Sequence, residues 1–368
     1  MTTTPAASPM RRSSRDPEVL RARLEGWLAT KVDSPRVDEL SGTDANGMSS
    51  DTVLFDAHWT GADGTSYDEH LVARLAPDLG DVPVFPWYDM TGQFQTIKGV
   101  HELTDVPVPD PRWCESDLNV IGAEFFVMNR VDGVVPPDVM PYPFGDNWLF
   151  DADAASQRRL QQATVDAIAK LHAIPEAAKQ FPWLERSEPG DTHLRRHVAH
   201  TRAWYDRVAA DGGVSPLVER AFGWLDAHWP ADDDDAVLSW GDSRIGNVIY
   251  ADFAPVALLD WEMAGLGPRE LDVSWLICGH LVFQHITEAL GLPGMPDFLR
   301  PDDVAAQYKS LTGHQLRDLD FYLVYAATQW AIVFLRTGQR QAHFGERELP
   351  ADPEEMIISR ALLERMLS

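Results

Sequence analysis

Cysteine is scarce in this sequence. Only Cys114 and Cys278 occur, and they lie on well-separated stretches of the chain. Two thiols so placed cannot build a disulfide framework or a zinc site of several thiolates. The cysteine usage is typical of a reducing compartment, and we expect a cytoplasmic location.

Long apolar runs are also missing. No segment approaches the ~20 apolar residues that a membrane-spanning helix needs. Residues 1–15 contain Arg11, Arg12 and Arg15, but no apolar run follows these arginines. A secretory signal requires such a run, so we expect neither a signal peptide nor a membrane partner, and we expect residues 1–15 to be a disordered tail.

Basic residues are few compared with acidic ones. The chain has 31 Lys and Arg against 57 Asp and Glu, a formal net charge of -26. A surface this negative repels nucleic-acid phosphates and anionic lipids, which excludes both classes of partner. It is compatible with a cationic small molecule, although acidic surfaces also simply keep proteins soluble.

The hydrophobic pattern divides the remaining chain into two parts. Hydrophobic residues make up 45% of 368 residues, enough for a sizeable core. Strand-like segments dominate up to a connector near 128–133, and helical periods dominate after it. We therefore expect a strand-rich lobe over 16–130 and a mainly helical lobe over 131–368. The first has helices at 17–28 and 93–103 and strands at 36–40, 51–60, 70–75 and 123–130. The second has helices at 153–174, 193–209, 216–228, 270–290, 302–311, 316–337 and 353–367, and short strands at 237–240, 247–250 and 256–260.

Three oxygen-bearing side chains lie at the ends of those short strands. Asp242 precedes a loop, Asn247 begins a strand, and Asp260 ends its hairpin partner. Antiparallel strands face each other at the open end of a hairpin, so Asn247 and Asp260 should lie side by side. A carboxylate beside an amide oxygen suits Mg²⁺. Asp and Asn also cap turns, and that remains the alternative for this group.

The same spacing is typical of phosphoryl transfer. In that reaction metal ions neutralise charge and a carboxylate orients the incoming hydroxyl. The spacing Asp-x-x-x-x-Asn equals that of the kinase catalytic loop, and a second Asp ends the following strand. The spacing alone is a weak signal, but with the flanking strands and two lobes it becomes strong.

The motif Trp240-Gly241-Asp242…Asn247, with Leu258-Leu259-Asp260 after it, resembles the signature of the aminoglycoside phosphotransferase family. Segments 83–87, 104–109, 134–142 and 259–263 are similar to mycobacterial members of that family and to the kinase-like domain fused to some acyl-CoA dehydrogenases. The resemblance implies an α+β, bilobal protein-kinase-like fold. Its N-terminal lobe would carry an antiparallel sheet, and its mainly helical C-terminal lobe a small β-hairpin insert.

The resemblance also implies residue roles. Asp242 would be the catalytic base, with Arg244 in the same loop, and Asp272 would brace that loop. Asn247 and Asp260 would hold Mg²⁺, and ATP would be the phosphoryl donor. Because the family's substrate pocket begins after Asp260, we also ask whether Glu262 faces the acceptor.

Further expectations concern the nucleotide in the lobe over 16–130. Arg74 stands where kinases usually keep lysine and can clamp phosphate oxygens. Met128, Asn129 and Val131 form the connector whose backbone would read the adenine edge, as the resemblance implies.

The loop 42–50 is a second candidate for phosphate contact. Gly42 and Gly47 have Walker A spacing, but Met48 stands at the lysine position, and the loop joins two strands, so we reject a P-loop. Gly47, Ser49 and Ser50 could instead cover the phosphates, as the corresponding turn does in a kinase-like lobe. An ordinary flexible hairpin loop is the alternative.

Two departures from the family pattern bear on activity. Trp240 replaces the signature histidine, which removes one polar partner of the loop. The helix after Arg74 offers Gln93 and Gln95 where a glutamate normally pairs with the cation. The leading hypothesis is a kinase of a small hydroxylated molecule, either an aminoglycoside or a hydroxyacyl thioester. The alternatives are a catalytically weak ATP-binding protein and a metal-dependent hydrolase that uses Asp242, Asp260 and Asp272.

Overall fold

The structure is a computed structural model that describes residues 15–42, 51–231 and 236–368. Within 15–42 and 51–130 the structure describes six strands and three α-helices. These elements are α1 (Pro17–Leu28), β1 (Arg36–Val37), β2 (Ser41–Gly42), β3 (Asp51–Thr60), β4 (Ser66–Leu75), α2 (Met90–Leu103), β5 (Pro111–Glu115), α3 (Leu118–Ile121) and β6 (Phe125–Asn129).

The six strands form one antiparallel sheet. Its order is β1-β3-β4-β6-β5, and β2 pairs with β3. The central hairpin β3–β4 turns at Gly64, whose φ of 80° is readily adopted by glycine. Along β3 every second side chain from Phe55 to Trp59 is buried, the pattern of a strand with one face covered. Helix α1 covers that face with Leu24, Trp27 and other apolar side chains.

The rest of the chain is mainly helical. Its elements are α4 (Ala154–His172), α5 (Ala177–Gln180), α6 (His193–Gly212), α7 (Pro216–Ala227), β7 (Val237–Ser239), β8 (Val248–Ala251), β9 (Ala254–Leu258), β10 (Gly265–Gly267), α8 (Glu270–Ala289), α9 (Pro301–Thr312), α10 (Leu319–His343) and α11 (Arg360–Met366). Helix α8 is apolar around most of its circumference, so it lies inside the core, packed against α10. None of the helices described here is long and apolar enough to cross a bilayer.

The β insert consists of two separate antiparallel pairs. β8 and β9 form the predicted hairpin, and its turn residues Asp252 and Phe253 both have positive φ. Two positive-φ residues are what a two-residue hairpin turn needs, because they follow the right-handed strand twist. β7 pairs instead with β10, which follows the hairpin in sequence.

The predicted α+β class is confirmed, while several element bounds differ from expectation. β4 begins at Ser66 rather than residue 70, and β5 and β10 were not predicted. The single helix predicted over 353–367 is wrong. A 3-10 turn at Pro353–Met356 and α11 replace it, because the chain between them is extended at Ile357. Of the predicted tail only Arg15 is described, and its guanidinium pairs with Asp51.

Candidate functional site

The loop at residues 240–247, called here the Asp242 loop, leaves β7 through a sharp turn. Gly241 has φ +89°, and a Cβ at this position would lie 2.3 Å from the carbonyl oxygen of Met263. No other residue fits this close approach without a backbone shift. The loop is therefore held tightly against the segment that follows the β8–β9 hairpin.

Asp272, in the first turn of α8, anchors the loop from below. Its fully buried carboxylate accepts hydrogen bonds from Ser239 Oγ, Trp240 N and Gly241 N, each at 2.8 Å. His172 Nε2 lies 3.0 Å from the same carboxylate. These contacts are to the end of β7, to the loop and to α4, so Asp272 positions the loop.

His172 extends this network and was missed from the sequence. Its Nδ1 lies 2.7 Å from the hydroxyl of Tyr308 on α9. A histidine near the end of a long helix carries no signal of its own. Only the fold brings α4, α8 and α9 together behind the loop.

Asp242 is nearly buried and is held by two donors. Trp275 Nε1 donates to its Oδ1 at 2.6 Å, and Arg244 Nε donates to the same oxygen at 3.0 Å. Loss of hydration raises the pKa of Asp242, although Arg244 and the hydrogen bond from Trp275 act in the opposite direction. The carboxylate is thus fixed in orientation, and its basicity exceeds that of an exposed aspartate.

Arg244 bridges two carboxylates. Besides Asp242 it pairs with Asp138, which lies in the segment between β6 and α4. The guanidinium contacts protein groups on both sides, so Arg244 aligns Asp242. Asp138 is a partner that sequence reasoning missed, because nothing in its local sequence marks it.

The hairpin register places Asn247 opposite Leu259, the residue before Asp260. Leu259 N donates to the carbonyl of Asn247 at 2.8 Å, and Asn247 Nδ2 donates to the carbonyl of Asp242 at 3.0 Å. Asp260 follows β9 with φ +60°, which turns its side chain out of the strand direction. Asp242, Asn247 and Asp260 therefore belong to one connected site.

Trp240 keeps the loop attached to this hairpin. Its indole N–H donates to the carbonyl of Leu259 at 2.8 Å, and its ring packs 5.9 Å from that of Trp261. The polar partner that the histidine would supply is thus replaced by a different hydrogen bond. Leu259, whose carbonyl accepts this hydrogen bond, immediately precedes Asp260.

Arg74 on β4 faces the same point from the sheet. Its Nη2 donates to Asp260 Oδ1 at 2.8 Å, and its Nη1 donates to Thr52 Oγ1 at 3.2 Å. Gln93 of α2 is buried nearby, whereas Gln95 is exposed. The anionic partner that α2 lacks is therefore supplied by Asp260.

A cavity of about 300 Å³, called here the large cavity, lies between the sheet and the β8–β9 hairpin. One part of the cavity wall is formed by Arg74, Asn247 and Asp260, and another part by Asn129 and Val131. The Asn129 side chain contacts Arg112 and Glu69, and its backbone N–H donates to the carbonyl of Asp110 at 3.0 Å. The other lining residues are mostly apolar and include Leu54, Val72, Ile97, Phe126, Met128, Val135, Ile249 and Leu258.

Three predicted phosphate contacts, Gly47, Ser49 and Ser50, lie outside the described residues. Asp242 and Arg244 belong to the adjacent loop, and Asp272 lies behind it.

The donor chemistry at Asn247 and Asp260 fits Mg²⁺. Asn247 uses its amide nitrogen for Asp242, which leaves its oxygen as a donor atom for a metal, and Asp260 offers a carboxylate. In the described part of the chain no three His, Cys, Asp or Glu residues are grouped to hold a metal. A hard cation here would complete its coordination with phosphate oxygens and water. The hydrolase hypothesis is disfavoured, because Asp272 faces the loop and does not join Asp242 and Asp260.

Comparisons with known proteins agree with this geometry. The profile of the phosphotransferase enzyme family, APH, matches residues 49–300, more than half of the chain. The protein belongs to this family, as its sequence motifs predicted.

Relatives found among curated protein sequences are named acyl-CoA dehydrogenases. The chain is 32% identical over 171 residues to acyl-CoA dehydrogenase family member 11 of Gallus gallus, covering 46% of this chain and 20% of that protein. It is 25% identical over 275 residues to a probable acyl-CoA dehydrogenase of Arabidopsis thaliana, covering 69% of this chain and 32% of that protein. The chain thus spans a third or less of these relatives.

Solved structures show the same fold. A Ralstonia eutropha protein assigned as an aminoglycoside phosphotransferase aligns with TM-score 0.62 at 19% identity, over 94% of this chain and 96% of that chain. A macrolide 2'-phosphotransferase type I aligns with TM-score 0.56 at 17% identity, over 91% and 96%. A thermostable mutant of aminoglycoside phosphotransferase APH(4)-Ia, in ternary complex with AMP-PNP and hygromycin B, aligns with TM-score 0.52 at 15% identity, over 94% and 97%. The kinase-like fold is confirmed.

Proposed function

We propose that the protein is an ATP- and Mg²⁺-dependent phosphotransferase that acts on a hydroxyl of a small molecule. The observation that carries the proposal is the large cavity. Arg74, Asn247 and Asp260 meet at one part of its wall, next to the Asp242 loop, and its other walls are largely apolar. An apolar pocket with a few convergent polar groups suits a nucleotide whose base is buried and whose phosphates are clamped.

The two parts of the chain would have different roles in this reaction. The part over 16–130, which ends shortly after Met128 and Asn129, would bind the base and the phosphates together with the adjoining Val131. The part over 131–368 would hold the acceptor and the reacting groups. The AMP-PNP bound to the APH(4)-Ia mutant supports ATP as the donor.

The residues of the site have distinct roles in this reaction. Asp242 accepts the proton of the acceptor hydroxyl as its oxygen forms a bond to the γ-phosphorus. The bond between that phosphorus and the β–γ bridging oxygen breaks, and ADP leaves with the electron pair. Arg74 clamps phosphate oxygens, Arg244 and Trp275 orient Asp242, and Asp272 keeps the loop in place. Mg²⁺ held by Asn247 and Asp260 would neutralise phosphate charge.

The family name suggests an aminoglycoside as the acceptor, and the net charge of -26 is compatible with a cationic one. The relatives named acyl-CoA dehydrogenases favour a hydroxyacyl thioester as the second candidate. The two acceptors differ in charge, so the walls of the acceptor site should distinguish them.

A catalytically weak ATP-binding protein is the second candidate function. The Arg74–Asp260 ion pair favours it, because the clamp and one metal ligand already neutralise each other. Nucleotide phosphates would have to compete for both groups.

A phosphorylation panel tests the proposed function. The protein is incubated with ATP and Mg²⁺ and with aminoglycosides, hydroxyacyl-CoA esters, sugars or hydroxy acids, and products are detected by mass. A product heavier by one phosphoryl group supports the kinase. Nucleotide binding without any product supports the weak binder, and no nucleotide binding contradicts both.

A further inference from the structure

Helix α2 forms part of the wall of the large cavity. Its Gln93 and Ile97 line this cavity together with Arg74 of β4. In protein kinases an ion pair between the cation of the sheet and a glutamate of the following helix must be in place for phosphoryl transfer. Here Gln93 stands near the place of that glutamate and Arg74 pairs with Asp260, so other contacts must fix the position of α2.

Trp183 attaches the middle of α2 to the part of the chain over 131–368. Its indole N–H donates to Thr96 Oγ1 at 2.9 Å, and Thr96 is fully buried. The same hydroxyl donates to the carbonyl of Gly92 at 2.8 Å, so both its proton and a lone pair are used. The hydrogen bond from Trp183 is therefore a directed contact to α2 rather than apolar packing alone.

Phe181 lies against α2 next to this hydrogen bond. A Cβ at Gly99 would lie 2.6 Å from Phe181 Cε1, so a larger residue would displace the ring. Gly99 follows Thr96 by three residues and shares its side of the helix. The rings of Phe181 and Trp183 meet edge to face with centroids 5.6 Å apart. The two aromatic side chains thus form one contact surface for α2.

The chain that leads into α2 is attached as well. Residues 76–89, called here the strap, run from the end of β4 to the start of α2. Trp204 of α6 donates its indole N–H to the carbonyl of Val84 at 2.9 Å, and this hydrogen bond is buried. The ring of Trp204 also packs 4.9 Å from that of Phe85. The centre of the strap is therefore held against α6.

Two arginines of α10 hold the strap at nearby carbonyls. Arg336 Nε donates to the carbonyl of Pro83 at 2.8 Å, and Arg340 Nη1 donates to that of Asp81 at 3.2 Å. Hydrogen bonds from a guanidinium are charge-assisted and stronger than those between neutral groups. Together with Trp204 they fix the strap to two helices of the part over 131–368.

The strap joins two elements of the nucleotide cavity. Arg74 lies just before it on β4, and Gln93 lies in the first turn of α2 after it. Its Trp87 lines a small cavity of about 30 Å³ together with Glu262, so the strap also adjoins the segment that follows Asp260. A shift of the strap would therefore move the cavity wall on at least one side.

We propose that Trp183 and Trp204 are positioning residues for nucleotide binding. They attach α2 and the strap to the part over 131–368, and in this way they hold Gln93 and Ile97 at the large cavity. The role is the one that the ion pair between sheet and helix has in protein kinases. Neither tryptophan lines the large cavity, so both act through α2 and the strap. The inference rests on the proposed function, because it takes ATP as the ligand.

Hydrogen exchange on the full chain, without ATP, tests the attachment of α2. Trp183→Phe removes the donor of the hydrogen bond, Thr96→Val removes the acceptor at nearly constant shape, and Thr96→Ser keeps the hydroxyl. The α2 amides should exchange about 3- to 10-fold faster in Trp183→Phe and Thr96→Val than in the wild type. Thr96→Ser should exchange like the wild type, and the α1 amides should be unchanged in every variant.

ATP affinity with Mg²⁺, measured by calorimetry, tests the positioning role. It should fall by about 3- to 10-fold in Trp183→Phe and in Trp204→Phe. Thr96→Val should weaken binding as much as Trp183→Phe does. The two changes combined should weaken it no further, because both remove the same hydrogen bond.

The matched control is Trp27→Phe. Trp27 donates its indole N–H to Glu115 Oε2 at 3.0 Å, a hydrogen bond of similar length between α1 and β5. This variant should lower the unfolding temperature about as much as Trp183→Phe, yet bind ATP like the wild type. The comparison separates positioning from a general loss of stability.

The inference is overturned if Trp183→Phe or Trp204→Phe binds ATP as tightly as the wild type. It is also overturned if Trp27→Phe weakens ATP binding as much as these variants do, or if exchange of the α2 amides is unchanged in Trp183→Phe and Thr96→Val. A wild type that binds no ATP counts against the proposed function, and the exchange measurement alone then decides whether Trp183 holds α2.

Discussion

At the scale of single residues, two positions of the site differ from the family pattern, and other contacts take the place of the missing ones. Trp240 stands for histidine yet donates to Leu259, and Asp260 rather than a helix glutamate faces Arg74. The identities of Asp242, Asn247 and Asp260 could be predicted, because their spacing is local. Asp138, His172 and Trp275 could not be, because each is defined by a partner far away in sequence.

Asp242→Asn tests the proposed base. The amide keeps the size of the side chain but cannot accept the hydroxyl proton, so we expect transfer to fall by roughly 10²–10⁴-fold. ATP affinity should change little, because Asp242 lies beside the large cavity rather than on its wall. Turnover is measured with an acceptor found in the panel, and ATP affinity by calorimetry.

The matched control is Asp252→Asn, the same change at an exposed position in the β8–β9 turn. Its turnover should equal that of the wild type. An Asp242→Asn protein with most of its turnover intact would refute the assignment of the base.

Trp275→Phe tests the electrostatics of that base. The indole N–H lowers the pKa of Asp242, so its removal should raise the pKa further above the ordinary aspartate value. Transfer needs the ionised carboxylate and is lost as pH falls through this pKa. The acidic limb of the kcat/KM profile should therefore move to higher pH, with little change on the alkaline side.

Trp330→Phe is the control for this substitution. Trp330 stacks on Trp275 with ring centroids 5.6 Å apart but makes no hydrogen bond to Asp242. The acidic limb of the kcat/KM profile of Trp330→Phe should stay at the wild-type pH. An unmoved limb in Trp275→Phe would show that Asp242 does not control the profile.

At the scale of elements, predictability followed the strength of the local pattern. The β8–β9 hairpin was predicted because two apolar strands flank a short polar turn. β5 begins at a proline and β10 is Gly-Leu-Gly, so neither has strand-like composition, and only pairing with β6 and β7 creates them. Long helices such as α4 and α8 were predicted to within a few residues, because their apolar periodicity is sustained.

Asp272→Asn tests the brace between α8 and the Asp242 loop. The asparagine side chain has one NH₂ group in place of a carboxylate oxygen. This group cannot accept the hydrogen bonds that the buried carboxylate now accepts, so donors in β7 and the loop would be left without a partner. We expect the free energy of unfolding to fall by about 3–5 kcal/mol, and transfer to fall with it. Chemical denaturation measures the first quantity.

Asp302→Asn provides the comparison, since Asp302 is an exposed acid in the first turn of α9. Its unfolding free energy should change by less than about 0.5 kcal/mol. Equal stability of Asp272→Asn and the wild type would contradict the bracing role.

At the scale of the whole molecule, the site is assembled from distant parts of the chain. Arg74 comes from the sheet, Asp242 and Asp260 from the β insert, and Asp272 from a core helix. The family motif predicts both the fold and this convergence, whereas composition alone cannot place a sheet over a hairpin.

The most direct test of the account is calorimetric titration of ATP with Mg²⁺ and with EDTA, on the wild type and on Asp260→Asn. Asparagine is chosen because it tolerates the positive φ at this position. We expect Mg²⁺ to strengthen ATP binding to the wild type by at least about tenfold, and Asp260→Asn to lose most of that gain. Equal affinity with and without Mg²⁺ in the wild type, or an undiminished Mg²⁺ effect in Asp260→Asn, would contradict the proposed site.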